Sequence, residues 1–262
     1  MTAEFEELAS LARTTAQEAA DLIVQMRVES VEIAGTKSSA TDVVTRADLA
    51  AEDLIRRRLL TARPDDGFLG EEGDDIPSRS GVSWVVDPID GTVNYLYGIP
   101  YYAVSIAAQI EQNSVVGVVN APALGQEFVA MRGAGAWLNG VRIHTPPPPP
   151  LSAALVATGF GYEARIRDVQ AKATALLLPQ VRDIRRLGSC AIDLCAVASG
   201  ALDAYVESGP NLWDYAAGSL IAEEAGAQFT AVPSVMEGRA VLLCASRERF
   251  TEFADVALAC GY

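Results

Sequence analysis

The apolar run Val82-Ser-Trp-Val-Val86 leads straight into Asp87-Pro-Ile-Asp90-Gly91-Thr92. A run of this kind reads as a buried strand, and it delivers two aspartates, three residues apart, into a turn stiffened by Pro88 and sharpened by Gly91. Both carboxylates can then converge on one point, where like charges removed from water repel each other. A cation between them makes the arrangement tolerable, and hard divalent ions such as Mg²⁺ prefer carboxylate oxygens. Taken alone, the segment also has a plainer reading as an acid-rich turn at the end of a strand. Gly91-Thr92 is expected to open a short helix whose free N–H groups suit a phosphate.

Two further acidic positions bear on the choice. Gly70-Glu71-Glu72 follows an apolar run, and Asp214 stands in Asn-Leu-Trp213-Asp214, at the start of an apolar helix. Singly, the glutamates fit a solvated turn and Asp214 fits a charge that favours the helix dipole. Carboxylates far apart in sequence, yet all at strand ends or helix starts, are what a two-metal phosphatase site requires.

The rest of the composition narrows the chemistry. The 262 residues carry 20 Lys+Arg against 34 Asp+Glu, a net charge of −14. With Lys37 and Lys172 as the only lysines, no basic stripe suits nucleic acid or anionic lipid, so direct contact with either is not expected. Half the residues are apolar, as in a globular chain of one large domain or two small ones sharing a core. No run approaches the ~18–20 apolar residues of a membrane span, and the acidic start MTAEFEELAS is unlike a signal peptide, so the expected location is the cytoplasm. Cys190, Cys195, Cys244 and Cys260 form no CxxC pair and read as buried free thiols. A single histidine, His144 beside the prolines, excludes zinc fingers and HExxH proteases. Haloacid-dehalogenase-type phosphatases need their aspartates two residues apart, where this chain has Ile89. Cys-x5-Arg phosphatases need an arginine where Phe250 follows Cys244.

Periodicity gives the organisation. Phe5, Leu8, Ala12, Ala16, Ala19, Ile23 and Met26 lie at helical spacing over residues 3 to 28. Residues 35–42 read as a mobile loop, and Thr45 as the N-cap, with Asp48 in the capping position, of a helix through Arg63. Strands expected near 82–86, 102–110, 114–121 and 127–132 suggest an antiparallel meander ending in a hairpin at Asn139-Gly140. Pro146–Pro150 form an extended joint between residues 1–145, an α+β unit, and 151–262, an α/β unit. Beyond the joint, strands near 154–158, 182–186, 202–207 and 241–245 alternate with helices at 164–178, 189–199, 212–225 and 246–259.

Gly70-Glu71-Glu72, Trp84-Val-Val-Asp87-Pro-Ile-Asp90-Gly91-Thr92-Val-Asn-Tyr95 and Trp213-Asp214-Tyr-Ala-Ala-Gly218 together resemble the signatures of the inositol monophosphatase family, Mg²⁺-dependent and lithium-sensitive phosphatases. The resemblance runs in order from Lys37-Ser-Ser-Ala-Thr-Asp42-Val-Val-Thr45-Arg-Ala-Asp48 through Gly188-Ser189, Asp203-Ala-Tyr205 and Glu207. Ala157-Thr-Gly-Phe-Gly-Tyr162 and Val181-Arg-Asp-Ile-Arg-Arg186 look most like the bacterial, and especially actinobacterial, SuhB-type members.

The resemblance implies a layered αβαβα sandwich, usually dimeric, and a ligand set. Glu71, Asp87 and the Ile89 carbonyl match ligands of a first Mg²⁺, Asp87, Asp90 and Asp214 those of a second, and Glu71 is placed to reach a third through water. Thr92 and Asp48 match the pair that orients and deprotonates the attacking water, which makes Thr92, Asp48, Glu71 and Asp90 the implied catalytic set. Gly91 and Thr92 match a phosphate cradle, Gly188, Ser189, Cys190 and Glu207 match positions that hold substrate hydroxyls, and Asp214 faces the same ester. Lys37 matches a mobile segment near the metals. The implied reaction is hydrolysis of myo-inositol 1-phosphate by in-line attack of activated water, with no covalent intermediate. Fructose-1,6-bisphosphate, histidinol phosphate and phosphoadenosine phosphate are the substrates of relatives, and some SuhB-like proteins are transcription partners. Cys190 stands where a smaller residue such as alanine is expected, which leaves a reactive thiol as an alternative to a buried one.

Overall fold

The computed structural model describes residues 2–29, 31–37, 43–234 and 238–262, and every statement below concerns those residues. In chain order the elements are α1 (Thr2–Glu29), β1 (Ile33–Thr36), β2 (Val43–Thr45), α2 (Arg46–Ala62), β3 (Gly67–Gly70), β4 (Val82–Asp90), α3 (Thr92–Tyr97), β5 (Ala103–Ile110), β6 (Asn113–Ala121), β7 (Gln126–Met131), β8 (Gly135–Leu138) and β9 (Val141–Ile143). After a connection holding His144 and the five prolines come β10 (Leu155–Thr158), α4 (Ala164–Leu177), β11 (Asp183–Arg185), α5 (Cys190–Ser199), β12 (Ala204–Ser208), α6 (Leu212–Glu224), β13 (Ala227–Pro233), β14 (Ala240–Ser246) and α7 (Phe250–Ala259).

Strands β3 to β9 lie side by side in chain order, β3 parallel to β4 and every later neighbour antiparallel. This is the expected meander. Its central strands read as continuous apolar runs because both faces are covered. Along β4, Trp84 and Val86 pack with Leu8, Ile23, Ile55 and Leu59 of α1 and α2, while Val85 points the other way, toward Leu194 and Leu220 of α5 and α6. The second sheet has the order β11-β10-β12-β14-β13, and Val156, Val206 and Leu243 of that sheet share a cluster with Leu177 of α4 and Phe253 of α7. The stack is therefore α1/α2, first sheet, α5/α6, second sheet, α4/α7, the αβαβα sandwich that the family resemblance implied.

Several boundaries differ from expectation. The strand at 82–86 continues to Asp90, so the aspartates belong to a strand and not to a turn. Gly35 and Thr36, read as loop, pair with Val44 and Val43, although β1 is exposed throughout; residues 38–42 lie outside the described residues. Strand β13 was not foreseen, because an edge strand carrying Gln228, Thr230 and Pro233 shows little apolar alternation. The last helix starts at Phe250, since β14 holds the chain in the sheet as far as Ser246.

Helix α6 is shared by both sheets and must lie close to β6. Gly117 allows this: a Cβ there would stand 2.7 Å from the Ala217 carbonyl oxygen and 3.1 Å from its Cα. Backbone cannot yield as a side chain does, so Gly117→Ala is expected to destabilise the fold by about 1–3 kcal/mol, the range for overpacking. Urea denaturation tests this, and an unchanged midpoint would show that α6 is not held at this distance.

Candidate active site

Parallel pairing of β3 with β4 sets Gly70 beside Val86, so the next residue of each strand, Glu71 and Asp87, emerges at the same carboxyl edge. Asp87 and Asp90 pose a second problem, because residues three apart in a regular strand point to opposite faces. The pairing with β5 resolves it: Asp87 is opposite Ser105 and Asp90 opposite Ala103, so three steps on β4 face two on β5. One extra residue is a bulge, placed where Pro88 has no N–H to give to the ladder. It turns both carboxylates to one side. Gly91 follows at φ 95°, wedged where a Cβ would meet the Tyr101 carbonyl oxygen at 2.9 Å and that of Gly188 at 3.1 Å.

Asp214 arrives from the other half of the chain. It is the third residue of α6 and closes a capping box with Asn211, whose N–H donates to Asp214 Oδ2 at 2.5 Å. One carboxylate oxygen each from Asp87, Asp90 and Asp214 fall within 4.8 Å of one another. The donor set is carboxylate oxygen throughout, which suits a hard divalent cation and no soft one. Asp90 Oδ2 also accepts from the Ser189 hydroxyl and the Ala191 N–H, both at 2.6 Å, fixing it to the first turn of α5.

Asp48 is fully buried on α2. Its Oδ2 accepts from the Thr45 N–H at 2.8 Å and the Thr45 hydroxyl at 2.5 Å, completing the expected capping box, while Oδ1 faces the Thr92 hydroxyl at 3.0 Å. The same hydroxyl is 3.0 Å from the Ile89 carbonyl oxygen. Lys37 Nζ lies 2.6 Å from both Glu71 Oε1 and Glu72 Oε1. Burial works against its charge, but the two glutamates prevail and push its pKa up.

The electrostatics follow from this crowding. Burial raises Asp87 well above the carboxylate range, with Glu71, Asp90 and Asp214 adding repulsion, and it raises Asp214 likewise with Asp90 and Glu71. Burial lifts Asp90 to about 7 against the stabilising bonds from Ser189 and Ala191, and lifts Asp48 to about 6 against those from Thr45 and Thr92. Glu71 is raised by burial despite Lys37.

Glu71, Asp87, Asp90 and Asp214 floor a cavity of about 590 Å³ whose lining also includes Lys37, Gly91, Thr92, Gly188, Ser189, Cys190 and Glu207. The Tyr205 hydroxyl lies 2.8 Å from Glu207 Oε2, to which it donates, and 3.0 Å from Cys190 Sγ. All four cysteines are buried, and burial followed by Glu207 and Asp90 pushes the Cys190 thiol well up, in line with a buried protonated thiol. Sequence reasoning gave no role to Arg167, Arg186 and Arg239, which also line this cavity. Nothing in their local pattern marks them, since only the tertiary fold brings them to an acidic pocket.

Comparison with known proteins finds relatives across most of the chain. The family described as the inositol monophosphatase family matches residues 4–253. Inositol-1-monophosphatase SuhB of Mycobacterium tuberculosis (strain ATCC 25618 / H37Rv) is 47% identical over 239 residues, covering 84% of this chain and 82% of the relative. A Nus factor SuhB of Pasteurella multocida (strain Pm70) is 36% identical over 219 residues, covering 83% and 82%. The solved structure of Mycobacterium tuberculosis SuhB superposes with a TM-score of 0.84 at 41% identity, covering 97% of both chains. With the motifs in order, the layered fold around them and matches across most of its length, this chain belongs to the inositol monophosphatase family.

Proposed function

We propose that this chain is a Mg²⁺-dependent, lithium-sensitive phosphatase that hydrolyses myo-inositol 1-phosphate to inositol and phosphate. The observation that carries the reading is the convergence of Asp87, Asp90 and Asp214 within 4.8 Å on the floor of an open cavity. Glu71, Asp87 and the Ile89 carbonyl would hold one Mg²⁺, Asp87, Asp90 and Asp214 a second, and Glu71 through water a third. Bound ions of this kind acidify water and offset charge on the phosphoryl group and the departing alkoxide.

The chain's own groups supply the rest. The Thr92 hydroxyl, 3.0 Å from Asp48 Oδ1, orients the attacking water and hands its proton to Asp48. With its pKa near 6, Asp48 is ionised at neutral pH yet basic enough to accept that proton. The amides at Gly91 and Thr92 take phosphoryl oxygens, while Glu207 and the Gly188–Cys190 backbone take the ring hydroxyls of the substrate. Support for inositol over other esters comes from Glu207 in the cavity wall and from the name of the mycobacterial relative. The expected location is the cytoplasm, and no helix among the described residues is long and apolar enough to cross a membrane. The expected assembly is a homodimer, supported by the exposed apolar Tyr97 and Ile99, and a monomer mass by light scattering would contradict it. A second reading, a transcription-associated role through a protein partner, is favoured by the Nus factor name of the Pasteurella relative.

A panel of inositol 1-phosphate, fructose-1,6-bisphosphate, histidinol phosphate and phosphoadenosine phosphate separates these readings. Inositol 1-phosphate is expected to turn over fastest, with the activity lost in EDTA and reduced by Li⁺. Asp90→Asn should remain folded and lose more than about 100-fold in kcat, beyond the upper end of losses from groups that merely support a metal ligand. Faster hydrolysis of another ester would move the substrate, and no turnover of any would leave the partner-binding reading.

Metal removal should also change how stability depends on pH. Without cations, Asp48 at about 6 and Asp90 at about 7 bind protons more tightly in the folded chain than at their unfolded values of about 3.9. The folded state then holds more protons between about pH 4 and 7, so its stability falls as pH rises through that window. In EDTA the melting temperature should drop from pH 5 to pH 8, and Mg²⁺ should raise it more at pH 8 than at pH 5. A flat profile, or a larger Mg²⁺ effect at pH 5, would contradict the assignment.

A further inference from the structure

We propose that Asn94, acting with Tyr101 and Asp193, is a positioning clasp that fixes the Gly91–Thr92 turn against the first turn of α5, and so sets where Thr92 and Asp90 stand. The proposal rests on the phosphatase reading above and adds residues that touch neither substrate nor metal.

Asn94 is buried on α3, and both protons of its side-chain amide are used. One goes to the Tyr101 carbonyl at 2.7 Å and the other to the Leu187 carbonyl at 2.8 Å, across 93 residues of chain. Leu187 immediately precedes Gly188-Ser189, the entry to α5. Tyr101 is tied a second time, because its hydroxyl donates to Asp193 Oδ1 at 2.9 Å on the first turn of α5. The links close a ring: α3 to Tyr101, Tyr101 to α5, and the entry of α5 back to α3.

Gly91 and Gly188 lie inside this ring with no room to spare. A Cβ at Gly188 would meet Asn94 Nδ2 at 2.9 Å, and one at Gly91 would meet the Gly188 carbonyl oxygen at 3.1 Å. The ring therefore controls how closely the two turns approach. Asp90 depends on that approach, since its Oδ2 takes both of its hydrogen bonds from the start of α5, at Ser189 and Ala191. Thr92 depends on it through the turn at Gly91. Asp193 is a buried carboxylate in an otherwise apolar helix face, and its partner Tyr101 explains why it is there.

The test uses the purified full chain with Asn94→Ala and, separately, Tyr101→Phe, which removes a single hydroxyl. Each is assayed on inositol 1-phosphate, titrated with Mn²⁺ by calorimetry and melted to confirm a cooperative fold. Asn94→Ala is expected to lower kcat by about 10- to 100-fold and weaken Mn²⁺ binding by about 10-fold, as outer-shell changes do. KM is expected to rise as well, by a smaller factor than kcat falls, because the clasp also holds the Gly91–Thr92 amides and the Gly188–Cys190 backbone against which the ester binds. Tyr101→Phe should move kcat and Mn²⁺ affinity in the same direction by a smaller factor. If the folded variants keep wild-type kcat and Mn²⁺ affinity and lose only melting temperature, the role is structural and the proposal is overturned. Should Asn94→Ala fail to fold, Tyr101→Phe decides by the same criteria. An inactive wild-type chain would defeat the phosphatase reading, and the Mn²⁺ titration alone would then decide the clasp.

Discussion

Mutual repulsion among buried carboxylates is the constraint from which the rest of this structure follows. Asp87, Asp90 and Asp214 place an oxygen each within 4.8 Å of the others, where burial alone disfavours even one negative charge. A fold holds such a cluster only if every member is fixed on a rigid element. Asp87 and Asp90 are fixed by a bulged strand paired on both sides in one sheet, and Asp214 by the capped start of a helix that both sheets share. Close packing at Gly117 and the five-layer stack are what bring these elements to one place. Under the proposed function, cations held by this cluster would reverse the sign of the field locally and so let a chain of net charge −14 take a phosphate ester.

Economy of the capping residues is a second theme. Asp48 could be read from sequence either as the third residue of a helix cap or as a partner for Thr92, and the two readings are both true because its two oxygens divide the tasks. Asp214 does the same, since it caps α6 through Asn211 while facing Asp90. Helix starts offer free N–H groups that hold a carboxylate rigidly, so a group needed elsewhere for its charge is held there without added parts.

Much of this was legible in the sequence, for identifiable reasons. The apolar run before Asp87 marked a strand buried on both faces, helical spacing marked α1, and Thr45 with Asp48 marked the start of α2. The site residues that lie next to those signals, Glu71, Asp87, Asp90, Thr92 and Asp214, were all named and all line or underlie one cavity with Lys37, Ser189, Cys190 and Glu207. What stayed hidden was set by long-range pairing. The bulge that turns Asp87 and Asp90 to the same side exists only against β5, and β13 is an edge strand held by its neighbour more than by its own pattern. Arg167 on α4 and Arg186 and Arg239 on loops reach the cavity through tertiary placement that no local periodicity encodes.

The most direct test of the central claim is anomalous diffraction from crystals of this chain grown with Mn²⁺. Two peaks should appear, one shared by Glu71, Asp87 and the Ile89 carbonyl and one by Asp87, Asp90 and Asp214. Their absence at saturating Mn²⁺, or peaks confined to other carboxylates, would show that the buried cluster is not a cation site and that the repulsion within it is relieved by protons instead.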